Sequence, residues 1–247
     1  MTRSVEILEQ LQGRFGTQNP ANLQIQRYTY YDYVRYNNAG ATSIRFFSIP
    51  LGGTDPTSTT SKTLEQTNVK RSGEFEYPFI ISQIKTDIMI LPAGAVGSTF
   101  TRQPAAITNL VDLNTSQQGY GAANGVYTAL YNLAGTGVLN ISFGQKQYFD
   151  IEQPFKFCPR GFGLTIDQIS ANGPGAFPGL TLRTGQSQDP RDVYIVTPPV
   201  LVERNQTIEA TIDFPNGVSP AIPALAGQNT NVDIGLILDG FAILPSQ

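Results

Sequence analysis

The sequence predicts an all-β chain built as a sandwich or barrel, on three observations. Short segments rich in β-branched and aromatic residues alternate apolar and polar side chains with a period of two, and Gly, Pro or Asn closes each of them. Helical periodicity is confined to two short stretches. Charge is scarce: Asp, Glu, Lys and Arg make up 14% of the chain, against about 25% in an average soluble protein, so neutral polar groups and turns must cover the surface.

In chain order, SVEILEQLQGRF (4–15) places Val5, Leu8, Leu11 and Phe15 at spacings of three and four, the pattern of an amphipathic helix of about three turns. So short a helix is marginal alone and must dock. Its polar face lacks the Lys-rich character of membrane-surface helices, which favours docking on protein. RYTYYDYVRY (27–36) and SIRFFSI (43–49), separated by Asn37-Asn38-Ala39-Gly40, read as a hairpin. Tyr30 and Tyr36 lie on one face of the first strand, and Tyr31 and Tyr33 on the other, which describes a strand packed on both sides. GGTDPTSTTSKT (52–63) reads as a solvated loop.

Further strands are predicted at 75–91, 137–151, 154–158, 192–203, 205–214 and 232–244, with one helix at 124–133 stopped by Gly135 and Gly137. In NQTIEATIDF (205–214), Ile208, Ala210, Ile212 and Phe214 alternate with Thr207, Glu209, Thr211 and Asp213. The connections at 92–122 and 167–191 are long, and such loops usually carry function or an interface. About a dozen strands over-supply one eight-stranded roll and slightly under-supply two.

Composition removes whole classes of chemistry. Histidine is absent and cysteine occurs once, at Cys158, so there is no histidine base, no Ser-His or Cys-His nucleophile, no intrachain disulfide and no multi-cysteine metal site. A net charge of −3, with no basic block longer than Lys70-Arg71, argues against a dedicated nucleic-acid surface, which needs clustered cations. No apolar run approaches the ~18 to 20 residues of a membrane span, and Glu6 and Glu9 stand where a signal peptide would be apolar. A soluble chain without its own export address is expected.

The acids form no convincing constellation. Glu209 and Asp213 share a strand face but lie about 13 to 14 Å apart at ~3.4 Å per residue, beyond the ~5 to 9.5 Å of a glycosidase pair. Glu203 and Asp239 are the other acids through which the fold might build a pair. Asp87, Asp150, Glu152, Asp167, Asp189 and Asp192 sit at turns or loop edges without calcium-loop spacing, and read as turn formers. The glycines of CPRGFG (158–163) and NGPGAFPG (172–179) are turns, with neither the spacing nor the helix of a dinucleotide site. Cys158, between Phe157 and Pro159, reads as a buried apolar residue. No catalytic residue and no cofactor are expected, and whether a metal ion bridges subunits is left open.

What remains is adhesion between protein surfaces, because low charge and abundant neutral polar groups suit a subunit that packs beside copies of itself. The runs QTNVKRSGEFEYPFIISQIKTDI (66–88), GVLNISFGQKQYFDIEQPFKFCPRGFG (137–163), PPVLVERNQTIEATIDFP (198–215) and VDIGLILDGFAIL (232–244) resemble jelly-roll major capsid proteins of tailless icosahedral bacteriophages. The likeness is to corticovirus-like and finnlakevirus-like double jelly-roll subunits. It covers about 64–244 and rests on Thr67-Asn68, the Ile-Ser-Phe-Gly turn before Lys146-Gln147-Tyr148, Pro159-Arg160-Gly161 and Leu238-Asp239-Gly240. The resemblance implies an N-terminal arm (1–22), a first jelly roll (23–135) and a second (136–247), a double roll being favoured over a single roll with insertions. It also implies a non-enzymatic virion subunit, made in the host cytoplasm, that trimerises into pseudo-hexagonal capsomers. Its expected partners are its own copies, minor capsid or vertex proteins, and an internal membrane reached through Val5, Leu8, Leu11 and Phe15. Two other readings compete: a spike, fibre or minor capsid protein holding a host glycan, and, more distantly, a carbohydrate-active enzyme, which the absence of Trp disfavours.

Overall fold

A computed structural model of the chain describes residues 23–37, 39–91, 136–147, 165–169, 179–183, 193–204, 206–214 and 231–245. The N-terminal helix, the helix at 124–133, the strand at 154–158 and Cys158 lie outside the described residues. Ten strands are described: β1 (Leu23–Arg35), β2 (Ser43–Phe46), β3 (Phe79–Leu91), β4 (Val138–Phe143), β5 (Lys146–Gln147), β6 (Thr165–Ile169), β7 (Gly179–Arg183), β8 (Tyr194–Val202), β9 (Ile208–Asp213) and β10 (Asn231–Pro245). The protein is all-β, with two four-stranded antiparallel sheets ordered β1-β10-β3-β8 and β2-β9-β4-β5, and a separate hairpin β6-β7.

The pairing is nested. Leaving out the β6-β7 hairpin, the first strand pairs with the last (β1 with β10), the second with the next to last (β2 with β9), then β3 with β8 and β4 with β5. Two further ladders, β10 to β3 and β9 to β4, join these four pairs into the two sheets. Each of the two sheets therefore combines strands from before residue 92 with strands from after residue 137.

One core lies between the sheets. Tyr30, Phe79, Ile84, Val232, Ile234, Leu236 and Leu238 approach it from one side, and Ile44, Phe46, Leu139, Ile141, Phe143, Ile208, Ala210 and Ile212 from the other. Strand β9 shows why the sequence folds so: its period-two alternation puts Ile208, Ala210, Ile212 and the following Phe214 inside while Glu209 stays exposed. Each large side chain so buried contributes ~1.5 to 3 kcal/mol. Strand β10 occupies the centre of its sheet and is buried on both faces, Asp233 and Gly235 included.

Two expectations are corrected. Residues 27–36 and 43–49 do not form a hairpin: β1 and β2 belong to different sheets. The Asn37–Gly40 turn, closed by the Gly40 amide on the Asn37 carbonyl at 2.8 Å, carries the chain across the core. Both strands present apolar faces to that core from opposite sides, so each takes a distant partner. The loop at 52–63 is only partly solvated, since Asp55 and Lys62 are 1% and 2% exposed. A charge bonded inside the fold hides in a sequence that otherwise reads as water-facing.

Candidate functional site

The predicted acids are not gathered. Glu209 on β9 pairs with Arg45 of β2 at 2.7 Å on the outer face of one sheet. Asp239 on β10 lies on the outer face of the other, held by Arg27 at 2.7 Å and by the Thr29 hydroxyl at 3.0 Å. Asp213 accepts hydrogen bonds from Asn140 Nδ2 at 2.7 Å and the Thr211 hydroxyl at 2.9 Å, and Glu203 is an exposed residue of the β8–β9 connection. The Arg45–Glu209, Arg27–Asp239 and Asn140–Asp213 contacts join neighbouring strands, and these acids do not converge on one another. Asp87 and Asp167 are placed by backbone alone in β3 and β6. Asp150, Glu152, Asp189, Asp192, Val5, Leu8, Leu11 and Phe15 lie outside the described residues. Among the described residues no group of three or more acids or cysteines could hold a metal ion, and no helix is long and apolar enough to cross a membrane.

The tyrosine-rich strand is structural on both faces. Tyr30 stacks on Phe75 with ring centres 4.2 Å apart and meets Phe79 edge-on at 5.0 Å. Burial pushes the Tyr30 phenol up to about 12. Tyr33, on the opposite face, is 1% exposed and lies across Gly235, its partner in register.

A buried polar cluster was not singled out in the sequence. Asp32 shares the inward face of β1 with Tyr30 and Tyr36 and is fully buried. One carboxylate oxygen accepts from Lys62 Nζ at 2.6 Å and the other from the Phe47 amide at 2.7 Å. Phe47 has φ +59°, a left-handed conformation that costs a non-glycine residue of order 1 kcal/mol, and Asp32 helps to hold it. Nearby, Arg35 pairs with the buried Asp233, and Asp55 binds the Thr57 amide through Oδ1 at 2.8 Å while its Oδ2 has no hydrogen-bond partner. Burial pushes both the Asp32 and Asp233 carboxyls up, with Lys62 and Arg35 respectively pulling them back in part. The sequence signal was a lone acid at an inward position of an aromatic strand.

The same loop covers a sheet edge. Tyr33 N–H bonds to the Gln66 carbonyl at 2.8 Å, Tyr31 N–H to Asn68 Oδ1 at 3.1 Å, and Asn68 Nδ2 to the Thr29 carbonyl at 2.7 Å. The side chain of Asn68 thus stands in for a paired strand along the outer edge of β1. On the opposite edge, β8 carries Pro198 and Pro199, which have no amide to offer a further strand, together with the exposed Ile195.

No family model, curated protein or solved structure matches this chain. Fold and geometry alone therefore bear on function. They describe an all-β sandwich whose outer faces carry the ion pairs Arg27–Asp239 and Arg45–Glu209 and whose β1 and β8 edges are blunted by Asn68 and by Pro198 and Pro199.

Proposed function

We propose that the chain is a jelly-roll structural subunit of a virion, the major capsid protein of an icosahedral phage shell, acting through self-association. The observation that carries this reading is the nested strand pairing. An antiparallel ribbon whose first strand meets its last, rolled so that alternate pairs enter two facing sheets, is the eight-stranded jelly roll found in many capsid proteins. Eight strands accounted for in one such set favour a single roll, with β6-β7 inserted between β5 and β8, over the double roll that the chain's resemblance to capsid proteins first suggested.

The elements of that resemblance have structural duties that suit this reading. Thr67 and Asn68 close the edge of β1, Gly144 turns β4 into Lys146-Gln147 at φ +62°, and Asp239-Gly240 lies where the β10 to β3 register shifts. Low charge supports lateral packing, since each unpaired charge buried between subunits costs several kcal/mol. Trimeric capsomers, contacts with minor capsid or vertex proteins, and an N-terminal arm turned toward an internal membrane belong to the same proposal.

The test is electron microscopy of the expressed chain with a gel of purified particles. A shell subunit forms regular capsomers or shells and dominates the gel. A spike or fibre would be a minor band and would form no lattice, and that result would overturn the proposal.

A further inference from the structure

The segment 69–77 and the β8–β9 connection meet at one end of the sandwich, where the Ile208 amide donates to the Gly73 carbonyl at 2.7 Å and Glu74 bridges to Thr207. Between them is a cleft of about 150 Å³ lined by Lys70, Arg71, Glu74, Phe75, Glu76 and Arg204. Its base is rigid: Phe75 is buried against Tyr30, and the Glu76 amide donates to the Tyr30 hydroxyl at 3.2 Å. Three cations face two carboxylates. Lys70 is engaged, with Nζ 2.8 Å from Glu76, and this pairing raises its ammonium pKa. Arg71 reaches Glu74 only at 3.9 Å with its side chain largely exposed. Arg204 makes no ion pair or side-chain hydrogen bond among the described residues. The cleft therefore keeps one uncompensated guanidinium and one loosely held on a chain whose net charge is −3.

Guanidinium groups bind carboxylate and phosphate through paired, charge-assisted hydrogen bonds, and a fixed cleft lowers the cost of ordering them. We propose that this cleft is an oxyanion-binding site in which Arg71 and Arg204 clasp a single carboxylate or phosphate group over the Phe75 backbone. Glu76 keeps Lys70 in place, and Glu74 competes with the ligand for Arg71. The volume limits the occupant to one small anionic group, the end of a side chain or of a metabolite. The inference stands apart from the capsid reading, because it needs no second copy of the chain.

The test titrates the full chain with inorganic phosphate and, separately, with glutarate, each by calorimetry at constant ionic strength against sodium chloride. Saturable binding in the millimolar range is expected for at least one anion, and whichever binds identifies the group. Arg204→Gln is expected to weaken it about tenfold, Glu74→Gln to tighten it by freeing Arg71, and Arg45→Gln, on the outer face of the other sheet, to leave it unchanged. Absence of saturation with both anions, or equal binding by the Arg204→Gln and parent chains, would overturn the proposal. Both arginines are exposed, and matching thermal unfolding of the variants separates lost binding from lost fold.

Discussion

Asp32 shows how one residue can hold a conformation that the chain would not otherwise adopt. It closes a buried ion pair with Lys62 and fixes the left-handed Phe47, so removing either partner leaves a charge in a dry interior. Lys62→Met is expected to lower unfolding stability by about 3 to 5 kcal/mol, and adding Asp32→Leu to recover part of that loss, because a buried charge without its partner costs more than losing both. Urea denaturation of the single and double variants measures both values. Asp233 supplies a pH dependence. Its folded-state pKa is raised by burial, so its contribution to stability is fully present below the unfolded pKa and lost as pH rises through the folded one. Lowering pH from neutral toward the ordinary carboxylate value of about 4 should therefore stabilise the parent chain relative to Asp233→Asn in thermal denaturation, and a relative loss would refute the assignment. Neither role was evident from composition. Asp32 looked like one polar letter in a tyrosine run, and its partner lies thirty positions along in a loop that reads as solvated.

Strands show where local pattern suffices and where it fails. The inward faces of β4, β9 and the core side of β10 were legible, because period two maps directly onto the pleat. The β1–β2 hairpin was misread because two adjacent strands joined by a turn-like segment can equally enter opposite sheets, and only the distant partners β10 and β9 decide. Backbone approach was equally hidden. A side-chain carbon at Gly240 would overlap the Ile80 carbonyl oxygen, beside the register shift that leaves Ser82 as the extra residue of β3. Gly240→Ala should thus cost roughly 3 kcal/mol or more and give little folded protein by circular dichroism. At the β1 edge, Asn68→Ala removes a donor and an acceptor that serve the strand backbone, an expected loss of about 1 to 3 kcal/mol. Faster hydrogen exchange at the Tyr31 amide would locate that loss on the edge, and unchanged exchange would show that Asn68 does not cap it.

Across the whole molecule, nested antiparallel strands close two sheets around one core. The all-β class was legible from alternation and turn residues. The division of the strands between two sheets was not, since counting strands cannot show which of them share a sheet. Glu209 and Asp239, through which the fold might have built a carboxylate pair, stand on opposite outer faces, each with its own arginine. Self-association is what this leaves to be tested. Mass photometry of the purified chain, whose monomer is 26.8 kDa, across a rising concentration series is the direct measurement. A self-associating shell subunit gives a population at three times the monomer mass or larger that grows with concentration, and a chain that stays monomeric throughout would contradict that proposal.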